Sequence, residues 1–223
     1  MAGRRACGGA FLKLSLATFA KVNRSLVVVG KRPDGYHELD TVFQTIDLTD
    51  ELSFEDADRL TLRVDDPAIP ANEENLVLKA ATALAGRYGV TRGASIVLSK
   101  RIPAGAGLGG GSGNAAGALR GLAALWSLEP TEGELHDLAE GLGSDVPFFL
   151  VGGRARGRGR GEVLEALSDG AEEALVVLVP PFPLATPDVY RRVEAVSLTG
   201  SGTKTSLPGS GGADEPDRND LEP

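Results

Sequence analysis

Apolar and polar residues alternate from Leu12 to Leu16, and a more apolar run from Phe19 to Val29 carries Leu26-Val27-Val28-Val29 at its centre. Each pattern predicts a strand. Pro33-Asp34-Gly35 predicts a turn, because proline fixes φ, aspartate caps its own backbone and glycine accepts positive φ. Alternation returns from Val42 to Phe54, and Leu60 to Val64 predicts a shorter strand. The amino-terminal part of the chain therefore reads as mainly β.

The period then changes. Asn75 predicts a helix cap, with Leu76, Ala80, Ala83 and Leu84 at helical spacing and Gly89 as the stop. Ala94 to Leu98 predicts a strand. Ala115 to Trp126 predicts a helix of small residues. Thr131 and Glu134 have the spacing of a capping box that opens a helix over Glu132–Leu142. From Asp145 the segment Val146-Pro-Phe-Phe-Leu-Val151 predicts a turn passing into a strand, and the Gly/Arg-rich stretch Gly152–Gly161 predicts a loop. A strand is expected over Ala174–Val179 and a helix from Thr186-Pro187 to Val196. Residues 197–218 are rich in Ser, Gly, Thr, Pro and Asp and predict a flexible segment. Early strands followed by helices mixed with single strands give an α+β class.

Composition narrows the partners. The 223 residues are 42% hydrophobic and 24% charged, which is globular composition. A formal charge of −8 argues against nucleic acid as a partner. One cysteine, Cys7, allows no internal disulfide, and two histidines far apart in sequence, His37 and His136, argue against a Cys/His zinc site. No apolar run has the length of a membrane span. Arg4-Arg5 ahead of Ala10–Ala20 faintly resembles a twin-arginine export signal. Lys13, Ser15 and Thr18 interrupt that stretch, so a first strand in a cytoplasmic protein is the expectation. The oligomeric state is not set by the sequence.

The chemistry centres on Pro103-Ala104-Gly105-Ala106-Gly107-Leu108-Gly109-Gly110-Gly111-Ser112-Gly113, directly ahead of the small-residue helix. Glycines let backbone N–H groups turn toward a ligand, and a helix N-terminus attracts anions. Ser112 adds a hydroxyl able to donate, or to hold a magnesium ion carried by a phosphate. A Walker A loop is excluded because no lysine follows its second glycine. Gly105, Gly107 and Gly110 match a dinucleotide fingerprint formally. The strand ending in an acidic residue that this fold requires is missing after Trp126, which argues against an oxidoreductase. A plain glycine linker would not carry Leu108 inside the run or a helix directly after it.

These residues, with Ala20-Lys21-Val22-Asn23, Arg32-Pro-Asp-Gly-Tyr-His-Glu-Leu39, Gly143-Ser-Asp-Val-Pro-Phe148 and Asn219-Asp-Leu-Glu-Pro223, resemble the GHMP kinases, in particular their diphosphocytidyl-methylerythritol kinase branch. The resemblance implies a ribosomal protein S5 domain 2-like ATP-binding domain over residues 1–165. It also implies the start of an incomplete ferredoxin-like domain over residues 166–223. It implies ATP with magnesium as the phosphoryl donor and a small cytidine-diphosphate alcohol as the acceptor. By the same resemblance Asp145 is the general base and Lys21 the lysine that favours its charged form and orients the hydroxyl. Asn23, on the strand face of Lys21, binds substrate. Tyr36, His37, Thr186 and Tyr190 serve the cytidine end. Residues 103–113, Lys100 and Asn75, with Asn72 nearby, flank the nucleotide, and Ser112 is the metal contact.

Four positions depart from the branch: Gly113 where a second serine is usual, and Phe19 and Arg24 in place of the commoner proline and leucine beside Lys21. Arg158 and Arg160 read as solvated surface. The fourth is the ending at Pro223, where relatives continue. It raises the expectation of a truncated second domain with apolar surface exposed on Ala174–Val179 or Pro187–Val196. A non-catalytic nucleotide-binding remnant is the alternative reading.

Overall fold

The computed structural model describes residues 13–180. The two expected amino-terminal strands are one, β1 (Lys13–Lys31), which turns at Pro33–Gly35 and returns as β2 (His37–Ala57). Their antiparallel register slips three times. Phe19 pairs with Thr49 and Ala20 with Ile46, so Asp47 and Leu48 bulge from β2. Arg24 is an extra residue between the Asn23 and Ser25 pairings. A bulged side chain leaves the pleat's alternation. That accounts for an arginine in an apolar strand: its guanidinium leaves the sheet and meets Glu173 at 2.7 Å.

The other edge of β2 is split. Its carboxy-terminal part pairs with β4 (Gly93–Ser99), through Glu51–Ser99 to Ala57–Gly93. Its amino-terminal part pairs with β5 (Arg154–Gly159), through Leu39–Gly159 to Gln44–Arg154. β3 (Thr61–Val64) lies parallel to β4, and β6 (Val163–Leu167) is antiparallel to β5. The order is β3-β4-β2-β5-β6, with β1 alongside β2.

α1 (Leu76–Tyr88) and α2 (Gly110–Leu125) pack with this sheet, and α3 (Glu132–Leu142) packs on α1 and α2. The main core joins Leu52, Phe54, Ile96 and Leu98 of the strands to Val77, Leu84, Leu119 and Leu122 of the helices. α1 has the expected ends: Asn75 caps Val77, and Gly89 is left-handed at φ 64°. The capping box of α3 is present in both directions.

Several expectations are corrected. Val146–Val151 is a helix, α4, not a strand, with Gly152 N–H bonding back to the Phe148 carbonyl. A short all-apolar run suits either form, and here Phe148 packs against Phe43 at 4.9 Å between centroids. The expected loop at 152–161 contains β5, because Ala155, Gly157 and Gly159 face inward between outward arginines. A Cβ at Gly157 would lie 2.6 Å from the Phe43 ring, which is why the inward residue there is glycine. Ala174–Val179 forms no strand among the described residues. Val176 and Leu178 are each 87% exposed. The Thr186–Val196 helix and the 197–218 segment lie outside the described residues.

Candidate active site

α2 begins at Gly110, inside the glycine run, five residues before the expected start at Ala115. Glycine disfavours helix in isolation, so packing decides the matter here. A Cβ on Gly110 would meet the Ile102 side chain at 2.9 Å, and one on Gly113 would meet the Phe19 carbonyl oxygen at 2.8 Å. Glycine at 110 and at 113 lets the first turn of α2 approach Ile102 and β1 this closely. Gly113, the departure noted above, is therefore fitted to its neighbour in this chain.

Gly105, Gly107 and Gly109 have φ of 72°, 72° and 68°, the left-handed region that favours glycine. Gly109 occupies the N-cap of α2, and no side-chain cap bond is made there among the described residues. No acidic residue lies in that turn. The helix thus opens, among the described residues, with an uncapped first turn and a positive dipole end, which suits phosphate oxygens. Leu108 faces the other way and is buried with Ala20 and Ile102, giving the loop an apolar anchor.

Lys21 is the link between this loop and the rest of the site. Its backbone N–H donates to the Leu108 carbonyl at 2.9 Å. Its side chain is buried, with 5% of the residue exposed. The ammonium donates to Asn23 Oδ1 at 2.6 Å and lies 3.5 Å from Asp145 Oδ2. Asn23 Nδ2 in turn donates to Thr41 Oγ1, which donates to the Ser25 carbonyl. Asp145 is the N-cap residue of α4, yet its carboxylate makes no capping bond and remains partly open to solvent. The sequence brings Lys21, Asn23 and Asp145 together as expected.

The remaining candidates divide. Tyr36 is exposed at the β1–β2 turn, and its N–H donates to Asp34 Oδ1. Burial pushes the Asp34 carboxyl up, but that N–H and the Arg32 guanidinium outweigh it and hold the group below its usual value. His37 opens β2 opposite Lys31. Arg158 is a surface residue beside Glu165, as expected. Arg160 is not merely solvated: its guanidinium lies 5.1 Å from the Tyr36 ring centroid, a cation–π distance. Asn75 has both amide atoms engaged by the protein, accepting from Val77 N–H and donating to the Pro70 carbonyl. Asn72 likewise accepts from Glu74 N–H. These two asparagines are accounted for by the turn and cap leading into α1. Thr186 and Tyr190 lie outside the described residues.

Lys100 is held from within. Its ammonium pairs with Asp50 and donates to Asn114 Oδ1 at 3.2 Å. Sequence reasoning missed Asp50, although a signal existed. Ile46, Leu48, Asp50, Leu52 and Phe54 share one phase of the alternation, and a carboxylate on the inward phase must have partners. Among the described residues no cluster of three or more His, Cys, Asp or Glu side chains is arranged to hold a metal. Among the same residues no helix is long and apolar enough to cross a membrane.

The comparisons agree with this geometry. A model of the GHMP kinases N terminal domain matches residues 75–153. The chain is 48% identical over 179 residues to the 4-diphosphocytidyl-2-C-methyl-D-erythritol kinase of Chlorobium phaeobacteroides, covering 80% of this chain and 63% of that one. With the kinase of the same name from Listeria welshimeri the identity is 40% over 198 residues, covering 88% of this chain and 68% of the relative. The chain belongs to the 4-diphosphocytidyl-2-C-methyl-D-erythritol kinase family. A crystal structure of a 4-(cytidine 5'-diphospho)-2C-methyl-D-erythritol kinase, 42% identical, superposes with a TM-score of 0.67 over 81% of this chain and 64% of that one. The GHMP kinase fold is thereby established for the matched region. The chain spans just under two thirds of the Chlorobium family member's length.

Proposed function

We propose that this chain carries the phosphoryl-transfer site of a kinase that moves the γ-phosphoryl group of ATP to the 2-hydroxyl of 4-diphosphocytidyl-2-C-methyl-D-erythritol, in the non-mevalonate route to isoprenoid precursors. In this reading residues 1–165 form the ATP-binding domain. The observation that carries it is the double attachment of Lys21, whose backbone holds the glycine loop while its ammonium faces Asp145. Donor and acceptor chemistry therefore meet at one residue.

Asp145 takes the proton of the attacking hydroxyl, and the oxygen bonds to the γ-phosphorus as ADP leaves. Lys21 offsets the negative charge beside that oxygen, and Asn23 fixes the ammonium's direction. The N–H groups of the first turn of α2 hold the phosphates, so catalysis is chiefly positioning and electrostatics. Magnesium, when bound, supplies charge neutralisation of the phosphates. The Ser112 hydroxyl and the Asp145 carboxylate are hard oxygen donors of the kind it takes.

The length of the substrate also fits. Tyr36 and His37 lie at the turn, and Phe43, paired with Asn23, is six residues further along β2, about 20 Å of strand rise. An extended molecule with a base at one end and an alcohol at the other spans such a distance. The test is phosphoryl transfer with magnesium ATP and the cytidylated substrate. Asp145→Asn should lower kcat by about 10²–10⁴-fold, the usual contribution of a general base. Full activity in that variant would remove Asp145 from the mechanism.

A further inference from the structure

We propose that Asp50 is a positioning residue that staples the two stems of the phosphate loop together and fixes Lys100 beneath its helix end. This rests on the phosphate-loop reading above and deepens it.

Asp50 sits where the far edge of β2 is split, at the end of the gap between the β5 and β4 ladders. Its residue is 1% exposed, so the carboxylate has no water to satisfy it. Protein groups take that place from both sides of the loop. Oδ1 accepts from the backbone N–H groups of Arg101 at 2.7 Å and Ile102 at 2.8 Å, in the stem entering the loop. Oδ2 accepts from Asn114 Nδ2 at 2.9 Å, in the helix leaving it, and pairs with the Lys100 ammonium. Asn114 Nδ2 also donates to Thr18 Oγ1, which ties the same node to β1. Lys100 N–H is held separately by Asp65 Oδ1 at 2.8 Å. Three successive stem N–H groups are thus fixed by two carboxylates.

The result bears directly on the loop. Lys100 Nζ lies 3.1 Å from where a Cβ of Gly110 would be, directly under the first residue of α2. Paired with Asp50, that ammonium sits beside the dipole end as a held group of fixed position rather than as a free net charge. Without Asp50 the ammonium would keep its bond to Asn114 Oδ1 but lose its ion pair, and the N–H groups of Arg101 and Ile102 would lose their shared acceptor. Hydrogen bonds to an ionised, buried acceptor are the strong kind, and a node of this sort restricts geometry as well as adding stability.

The experiment compares the wild-type chain with Asp50→Asn. It uses calorimetric titration with magnesium ATP and amide hydrogen exchange along the chain. Asp50→Asn should weaken ATP binding about tenfold or more, since small displacements of positioning groups have large effects. Exchange should accelerate at residues 101–112 while α1 and α3 keep wild-type protection. Unchanged ATP affinity and exchange in a folded variant would overturn the proposal. So would equal loss of protection in α1 and α3, which would make Asp50 a general stabiliser. If Asp50→Asn does not fold, Asn114→Ala cuts the helix side of the node and its tie to Thr18, leaves the Arg101 and Ile102 bonds to Asp50, and should weaken ATP several-fold with the same local exchange signature. Wild-type ATP affinity in Asn114→Ala would again overturn the staple. A wild-type chain that binds no ATP would sink the phosphate-loop reading, leaving the exchange data to judge the staple alone.

Discussion

On the proposed function, Lys21 is a buried cation that matters more for chemistry than for stability. Burying an ammonium costs several kcal/mol that its partners offset only in part. Lys21→Met keeps much of the side chain's volume and its contact with the Phe43 ring, over which Nζ now sits at 5.5 Å. It removes the charge facing Asp145 and the bond to Asn23. The expected outcome is a melting temperature equal to or above wild type with kcat lowered about a hundredfold or more, in line with loss of one electrostatic stabiliser. Thermal melts and steady-state kinetics on one preparation check both halves. A kcat close to wild type would mean that the ammonium is not near the reacting oxygen.

At the scale of elements, α2 and α3 depend on different things. α2 is a close-packed helix. A Cβ at Gly121 would lie 2.4 Å from the ring of Phe54, which is fully buried and cannot yield. Gly121→Ala gains helix propensity of about 1 kcal/mol, yet the overpacking should prevail and destabilise the fold by about 1–3 kcal/mol. Denaturant midpoints would show it. α3 depends on its cap. The Glu134 carboxyl is pushed down to about 2 from 4.5, first by the Thr131 backbone N–H and then by other groups around it, including the Thr131 hydroxyl and Arg87. A depressed carboxyl stabilises fully above its unfolded value and loses that contribution as pH falls toward 2. Glu134→Gln should therefore flatten the loss of stability between about pH 4.5 and 2, measured by melts across that range, while pH 7 to 8 melts respond equally in both proteins.

These elements also show what the sequence makes legible. Helix ends such as Asn75, Gly89 and the Thr131–Glu134 box are local chemistry and were readable from residues a few positions apart. The start of α2 was not, because glycines at 110–113 become helical only through contacts with Ile102 and β1, distant in sequence. β5 was obscured because its inward phase is Ala and Gly rather than large apolar residues, a consequence of Phe43 filling that space from β2. In the site, Lys21, Asn23 and Asp145 were legible from motif resemblance, whereas Asp50 required noticing a charge on the inward phase of an apolar alternation.

Across the whole molecule, the segment after β6 differs from the rest. Leu175, Val177 and Val179 are 44%, 38% and 45% exposed while Val176 and Leu178 reach 87%, so a β-prone apolar run faces water on both sides. Such a run invites pairing with another chain. Paired substitution Val176→Lys and Leu178→Lys should reduce light scattering at high protein concentration without lowering the melting temperature, because neither side chain is packed. A drop in melting temperature would show instead that these side chains are covered in solution.

The hydrogen bond from Lys21 N–H to the Leu108 carbonyl has a consequence in conformational entropy. A free run of glycines samples more backbone states than any other sequence, at about 1–2 kcal/mol of ordering free energy per residue fixed. With Leu108 buried and its carbonyl bonded to β1, the middle of the loop is ordered when the chain folds. On the proposed function, a nucleotide then meets a cradle whose freedom has already been removed. Its affinity need not fall by the amount that closing a loose loop around it would take.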